Sequence, residues 1–434
     1  MNRKVFISVL GLGNYSSCFY TRIDKEFKSK EVRYIQEATL DYLTKTEEWN
    51  SSDVAYILLT HGAEKKNWVD NGHVRPETNL PIEQSGLKTQ LERMKLPFPV
   101  IPIKNLPDGN DEKEIWMIFE QVFKLLQEND ELYFDLTHGF RYLPMLILVL
   151  GNYSKFLKNI VVKSITYGNY EARNRERNEA AIIDLHPLSD LQDWTFASAN
   201  FLKNGNITQL KNLCDQNLKP ILKEAKGSNL AATTLKKYMA ALERVVNDMN
   251  TCRGINIIQG NNINELFYLS SQLTDVIIEP LKPVIEKMRD SFTEFMPSPN
   301  IKNGYLAAKW CFDNQLYQQA LTILHETIIS HICESEKWDN IHHRELVSKA
   351  LNIYINKTGQ EGWQCSPDQV DLIKEILSNK ALAFLASTYK VTTSLRNDYN
   401  HAGMRSNPAN RQRLISQLKE RIDTISLIPD KLCS

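Results

Sequence analysis

The stretch Glu131-Leu132-Tyr133-Phe134-Asp135-Leu136-Thr137-His138-Gly139 decides the fold of the first half of the chain. Its apolar part is rich in Leu, Tyr and Phe, is too short for a helix, and ends in a polar turn closed by glycine. The same four residues close a second run: Val54–Thr60 ends in Leu59-Thr60-His61-Gly62, as Glu131–Leu136 ends in Leu136-Thr137-His138-Gly139. Working outward, further candidate strands are Lys4–Leu10, Pro99–Ile103, Ile160–Tyr167 and Ala181–Leu185. Helical patterns lie between them, notably Glu112–Gln127 and Tyr142–Leu157. Near-continuous apolar strands alternating with helices predict an α/β domain whose parallel sheet carries helices on both faces.

From about Ser189 the β signals fade. Apolar residues recur at 3- and 4-residue spacing over Leu210–Lys226, Ala231–Met249, Ile263–Glu279, Leu281–Phe295, Tyr305–Cys333, Arg344–Ile355, Asp368–Asn379, Leu382–Tyr399 and Asn410–Ile425. This half reads as all-helical, punctuated by Pro280, Pro283, Pro297 and Pro299, with a helical subdomain over residues 205–300 and no repeat of fixed period.

The composition fits a globular protein. Of 434 residues 42% are apolar and 24% charged, which excludes collagen-like, low-complexity and disordered classes. The longest strongly apolar run, Leu143–Leu150, is interrupted by Pro144 and falls far short of the ~20 residues of a spanning helix. Met1-Asn2-Arg3-Lys4 enters a short apolar run without signal-peptide architecture, so a cytoplasmic protein with no membrane partner is expected. The 7 cysteines are scattered without CxxC spacing, which suggests reduced thiols rather than disulfides or a zinc knuckle. Lys plus Arg equal Asp plus Glu at 52 each, excluding a uniformly basic nucleic-acid partner. The balance conceals a split: residues 1–190 carry 24 basic and 27 acidic side chains, residues 191–434 carry 28 and 25. Within Arg396–Arg421 six basic residues face two acidic ones, which suits a phosphate backbone or a solvated helix face.

In a doubly wound sheet the carboxyl ends of the strands share one rim, and ligands bind above it. The two Thr-His-Gly turns and a third turn, Gly11-Leu12-Gly13-Asn14-Tyr15-Ser16, would offer that rim backbone N–H groups, hydroxyls and imidazoles for phosphate or ribose. Arg141 adds a planar fork for a phosphate. Ser16 stands where a dinucleotide-binding fingerprint needs its third glycine, so no NAD site is read. Thr and Gly at strand ends are also ordinary turn chemistry, and Asp135 could be a helix N-cap. Together the three turns favour a site.

Near the other end stands Leu395-Arg396-Asn397-Asp398-Tyr399-Asn400-His401-Ala402-Gly403, an Arg-x4-His pair at the end of a helical segment that Gly403 would stop. Chance alone gives roughly 0.4 such pairs in a chain of this composition. Five steps of about 100° put Arg396 and His401 about 140° apart on a regular helix, so one site holds both only if the helix ends there or a second copy helps. The chemistry suits RNA cleavage: a ribose 2′-OH attacks its own phosphodiester, His moves a proton, and Arg stabilises the charge on the phosphorane. The plainer alternative is a surface Arg with a His placed against the helix dipole. His325-Glu326 with His331 is one residue too long for the zinc motif, and both imidazoles read as structural; His342-His343 has no partner visible from spacing.

Together these features resemble a known family. Asp135-Leu136-Thr137-His138-Gly139-Phe140-Arg141 followed by Pro144 resembles the strand-end signature of the CRISPR-associated Rossmann-like (CARF) sensor domain of type III ancillary proteins. The Gly11–Tyr15 turn, Tyr20, the Thr60 turn, Trp116 and Tyr167-Gly168 are similar to that group too. Arg396-Asn397-x3-His401 resembles the active-site motif of HEPN ribonucleases, and Ala307–Glu326, with Gln319-Ala320 and Glu326, resembles an upstream helix of that domain.

The resemblance implies a Rossmann-like α/β CARF domain over residues 1–188, a helical linker or insert over 189–300, and an all-α HEPN ribonuclease domain over 301–434. It implies a homodimer or higher oligomer acting in antiviral defence. The paired CARF domains would bind a cyclic oligoadenylate, with cA4 the expected activator, through Gly11, Gly13, Asn14, Tyr15, Thr60, His61, Gly62, Asp135, Thr137, His138, Gly139, Arg141, Tyr167 and Gly168. The paired HEPN domains would cleave single-stranded RNA without metal or cofactor, leaving 2′,3′-cyclic phosphate ends. Arg396 and His401 would be catalytic, with Asn397 as orienting neighbour. The junction around Leu185–Trp194 is where ligand binding would be relayed. Three alternatives stand beside this reading: a sensing regulator or scaffold with an inactive helical domain; a sensor that degrades its own ring through Thr60, His61 or His138; and a nucleotide-cofactor enzyme.

Overall fold

Strand β1 (Lys4–Leu10) is the hinge of the sheet topology in the first unit. The computed structural model describes residues 2–22, 26–139, 142–273, 282–404 and 406–425. The other strands are β2 (Cys18–Arg22), β3 (Phe27–Val32), β4 (Val54–Thr60), β5 (Val100–Leu106), β6 (Glu131–Asp135), β7 (Val161–Asn174) and β8 (Glu179–Asp184). They form one sheet in the order β3-β2-β8-β7-β6-β1-β4-β5. Strands β5, β4, β1, β6 and β7 run parallel. β8 returns antiparallel to β7, β2 pairs parallel to β8, and β3 closes the edge antiparallel to β2. The chain passes from β1 to β4 on one side and later to β6 on the other, so the carboxyl ends of β1, β4 and β6 meet at the switch point where open α/β sheets take ligands.

Alternation along β1 explains the two covered faces. Val5, Ile7 and Val9 pack with Tyr56 and Leu58 under Ile118 and Val122 of helix Glu112–Leu125 and Leu146 and Leu150 of helix Leu143–Lys158. Phe6 and Leu10 pack with Ile57 and Leu59 against Leu40 and Leu43 of helix Ile35–Thr46 and Leu87 and Leu91 of helix Leu87–Met94. Each such side chain contributes about 1.5–3 kcal/mol on full burial. Glu112–Leu125 starts where Asp111 accepts a hydrogen bond from the Glu114 amide at 2.8 Å.

Ser8 interrupts the apolar run of β1, and its hydroxyl starts a buried polar chain. It donates to Asp135 Oδ2 at 2.7 Å and accepts from Gln36 Nε2 at 3.0 Å, which also donates to the Val9 carbonyl at 3.1 Å. The other carboxylate oxygen of Asp135 accepts from the Thr137 hydroxyl and from the Thr137 amide at 3.2 Å. Thr137 Oγ1 in turn accepts from the Gly168 amide at 2.7 Å. The chain thus ties helix Ile35–Thr46 to the ends of β1, β6 and β7.

Two strands escape sequence reading. β3 reads Phe27-Lys28-Ser29-Lys30-Glu31-Val32, an edge strand whose charges guard against pairing with other chains and erase the apolar signal. β2 is only five residues long and ends in Thr21 and Arg22, so its apolar run is too short to stand out.

The chain divides into two compact units, Met1–Asp190 and Leu191–Ser434, with the division inside helix His186–Asn204. The second unit is helical among the described residues. Its core joins Met239, Leu242 and Phe292 to Ala307, Leu324, Leu351 and Leu385 in one cluster, so helices on both sides of residue 300 share it. The continuous pattern over Tyr305–Cys333 is two helices, Lys302–Asp313 and Tyr317–Ile332. Gln315 takes φ 62° between them, and the Leu316 amide reaches back to the Cys311 carbonyl at 2.8 Å, a left-handed closure made without glycine. The expected helix Ile263–Glu279 appears as Asn261–Ser271, and residues 274–281 lie outside the described ones. Among the described residues no helix is long and apolar enough to cross a membrane.

The polar chain makes Thr137 a structural residue whatever binds above it. Thr137→Val removes the acceptor of the Gly168 amide and one donor to Asp135, and is expected to cost about 1–3 kcal/mol of stability in the first unit. Urea unfolding followed by tryptophan fluorescence checks this; an unchanged midpoint would show that the hydroxyl is dispensable.

Candidate functional site

The rim gathers most of the residues that the sequence places there. A Cβ built on Gly11 would lie 3.5 Å from His138 Cβ, and one on Gly62 would lie 2.8 Å from Leu12 Cδ2, so the turns after β1, β4 and β6 touch one another. Tyr15 folds back over its own turn, its hydroxyl against Gly11 and its ring against Gly13. The Tyr15 ring stacks on His138 with centroids 4.2 Å apart and meets Tyr34 edge-on at 5.9 Å. Burial raises the Tyr15 phenol well above its usual range, opposed by the amides of Gly11 and Gly13. Gly139 has φ +135°, a conformation that needs glycine, and a Cβ there would meet Leu143 Cδ2 at 2.8 Å. Gly168 is pressed against Ile35, leaving no room for a side chain.

The two Thr-His-Gly copies do different work. Thr60 caps the short helix His61–Ala63, accepting from the Ala63 amide at 3.3 Å, and leaves His61 exposed. Thr137 bridges β6 to β7, and His138 lies under Tyr15 with Nε2 buried and, among the described residues, without a hydrogen-bond partner. Burial pushes the His138 imidazole down to about 4, so it is neutral at physiological pH. Asp135 does not cap a helix: the next one begins at Leu143, and its carboxylate, raised by burial against the pull of Thr137 and Ser8, holds the turn. Asn14 is exposed, Tyr167 half-buried, and Arg141 lies outside the described residues.

Sequence reading missed the residue that holds the glycine turn. Asn67 is fully buried, and its amide donates to the carbonyls of Gly11 and Gly13, each at 2.9 Å. His73 Nε2 lies 3.0 Å from Asn67 Oδ1. The run Glu64-Lys65-Lys66-Asn67-Trp68 carries no signal for this contact, because its partners lie more than fifty positions away.

In the helical unit, Arg396 and His401 stand at the end of helix Lys380–Asn400. Arg396 Nη1 donates to Glu326 Oε1 at 2.9 Å, and Glu326 Oε2 accepts from Arg344 Nη2 at 2.8 Å. Arg344 is fixed further by Ser330 Oγ at 2.7 Å and the Trp338 carbonyl at 3.1 Å. His401 is the C-terminal cap residue; its imidazole is exposed and makes no side-chain hydrogen bond among the described residues. The helix closes with Gly403 (φ +70°), whose amide reaches the Asp398 carbonyl at 2.9 Å. The buried Asp398 carboxylate holds the following loop through the Ala409 amide at 3.0 Å. Asn397 is exposed beside Arg396. Within one chain, Arg396 is turned to Glu326 and His401 to solvent.

Beside Arg396 opens a groove of about 760 Å³, lined by His325, Glu326, Arg344, Lys349, Trp363 and Tyr389 among others. His325 Nδ1 lies 3.1 Å from Thr392 Oγ1, and the ring stacks on Tyr389 at 4.7 Å. Thr392 donates its own proton to the Tyr389 carbonyl at 3.0 Å, which assigns the imidazole proton to Nδ1. Burial pushes the His325 imidazole down to about 4; Glu326 opposes this, while Arg396 and Arg344 reinforce it. His331, the other member of the overlong zinc-like spacing, pairs through Nδ1 with the Tyr305 hydroxyl at 2.7 Å.

No family model matches the chain. The chain is similar to CRISPR-associated protein MJ1674 of Methanocaldococcus jannaschii, with 24% identity over 395 residues, covering 82% of this chain and 58% of that protein. The chain therefore spans less than two thirds of the length of the curated relative it matches. The similarity supports an association with CRISPR systems.

The buried His325 gives the helical unit a pH dependence of definite sign. The folded imidazole stays neutral to about 4, whereas the unfolded one takes a proton near 6.5. Its contribution is complete above about 6.5 and is lost as pH falls from there to about 4, by as much as ~3 kcal/mol. Thermal melts across this window are expected to show a steeper loss of Tm for the wild type than for His325→Gln; equal slopes would refute the assignment.

Proposed function

We propose that this protein is a ligand-activated ribonuclease of type III CRISPR defence, with a CARF sensor in its first unit and a HEPN ribonuclease in its second. The observation that carries the reading is the placement of Arg396 and His401 at one end of helix Lys380–Asn400, Arg396 held by Glu326 beside an open groove and His401 exposed at the cap. A site that gathers these side chains from two copies would match a two-fold assembly of paired half-sites. In the proposed reaction the RNA 2′-oxygen forms a bond to the adjacent phosphorus as His401 takes its proton. Arg396 stabilises the added negative charge, and the P–O5′ bond breaks as the 5′-oxygen takes the proton back from His401. The products are a 2′,3′-cyclic phosphate and a 5′-hydroxyl. The rim of the sensor unit would hold a cyclic oligoadenylate against the turns at Gly11, Thr60 and Thr137, and the bound ring would favour the dimer arrangement competent for cleavage.

An exposed apolar face supports the second copy. Met145, Val149, Tyr153 and Phe156 form one stripe on helix Leu143–Lys158, with Phe156 87% exposed. Tyr153 packs on Phe119 and Phe123 at 5.4 and 5.1 Å, bringing exposed Trp116 of the neighbouring helix alongside.

Labelled single-stranded RNA incubated with the protein and cyclic oligoadenylates of different ring sizes tests the reading. Cleavage is expected to be weak alone, strongly stimulated by one ring, and insensitive to EDTA. His401→Ala is expected to lose about 100-fold or more while still binding the ring. No cleavage with any ring, or full activity in His401→Ala, would overturn it; linear oligoadenylate products would instead reveal ring degradation at the rim.

Because Phe156 is almost wholly exposed, Phe156→Asp leaves the core intact. It is expected to elute as a monomer and lose stimulated cleavage. Wild-type elution and activity would place the interface elsewhere.

A further inference from the structure

The groove beside Arg396 holds more chemistry than the Arg396/His401 pair uses. Its volume of about 760 Å³ falls in the range of roughly 300–1,000 Å³ typical of ligand sites. Trp363 is fixed there by its indole N–H, which donates to the Thr358 carbonyl at 3.1 Å. Lys349 lies next to it, donating to the carbonyl of the adjacent Gln364. An ammonium that spends one N–H on a carbonyl keeps two for a ligand. Arg344 stands in the same lining with its terminal N–H groups spent on Ser330, the Trp338 carbonyl and the carbonyl and carboxylate of Glu326, and so fixes Glu326 beside Arg396. A fixed aromatic ring beside cations is the make-up of a single-stranded nucleic-acid subsite: the ring accepts any base face, and the cations take the backbone.

We propose that this groove is a nucleotide subsite for single-stranded RNA, in which Trp363 stacks one base and Lys349 takes the phosphate beside it. The proposal rests on the ribonuclease reading for the class of its ligand and adds where the strand next to the cut is held. Arg396 lines the same groove as Trp363 and Lys349, so a strand held there runs toward the proposed catalytic arginine.

Binding of a fluorescein-labelled RNA oligonucleotide to the 434-residue chain carrying His401→Ala, followed by anisotropy, tests it without needing cleavage. Trp363→Ala is expected to weaken binding about 10-fold, and Trp363→Phe to restore most of the loss. Lys349→Ala is expected to lower the slope of log affinity against log salt by about 0.7. Circular dichroism melts confirm that each variant is folded. Wild-type affinity in Trp363→Ala together with an unchanged salt slope in Lys349→Ala would overturn the proposal, as would a protein that binds no RNA. If RNA binds and Trp363→Ala weakens it, yet the wild type cuts no RNA with any ring, the subsite stands and the ribonuclease reading falls.

Discussion

The buried carboxylate of Asp135 is the interaction on which the rim of the first unit depends. A carboxylate taken out of water is costly unless its oxygens are matched by donors. Ser8 comes from β1, and Thr137 supplies both a hydroxyl and an amide from the turn after β6. Matching them sets the ends of β1 and β6 at one height. Gln36 adds helix Ile35–Thr46 through Ser8, and Thr137 adds β7 through Gly168. With those ends fixed, the glycine turn after β1 has one place to go, and Asn67 holds it there by its two carbonyls. The Tyr15–His138 stack then follows from the positions of the two turns.

The second unit also turns on a carboxylate, in a different dielectric. Glu326 is shared by Arg396 and Arg344, with about a third of its side chain exposed. An ion pair in contact with water is worth little net, because water and salt compete for both partners. The Asp135 cluster is therefore fixed architecture, whereas the Arg396–Glu326 contact can be exchanged for another anion at small cost. The two carboxylates divide the molecule's labour between holding and exchanging.

Much of this was legible in the sequence, for a physical reason. Strands buried on both faces must be apolar throughout, so β1 and β4 declare themselves over their full length. Turns at strand ends need Gly and Thr, so the rim declared itself as well. What stayed hidden depends on partners far along the chain. Ser8 and Asp135 are 127 positions apart, and neither residue type alone announces a buried network. The duplicated Thr-His-Gly looked like one device used twice, yet Thr60 caps a helix while Thr137 bridges strands, because only the second copy follows a buried aspartate. The break at Gln315 carries neither glycine nor proline, and the apolar period continues across it. The end of the helix at Asn400, by contrast, was legible from Gly403, and it leaves His401 at the cap while Arg396 meets Glu326.

In both candidate sites a side chain of the protein already occupies groups that the proposed function would offer to a ligand. The Tyr15 hydroxyl rests against the glycine turn whose amides would face a phosphate, and the Glu326 carboxylate occupies two guanidiniums that would face a phosphodiester. Under the proposed function an incoming anion gains only the difference between its own contacts and those it displaces. At the rim the displaced group is a neutral phenol stacked on a neutral imidazole, so the exchange brings negative charge to waiting amides and costs one ring stack. At Glu326 the displaced group is itself an anion, so charge is conserved and the gain must come from geometry and from the groove beside it. Under that reading the rim would select for charge, and the helical unit would select for a strand that fills more than one contact at once. That division follows from a chain whose 52 basic and 52 acidic residues cancel overall, because neither site can rely on the field of the whole molecule.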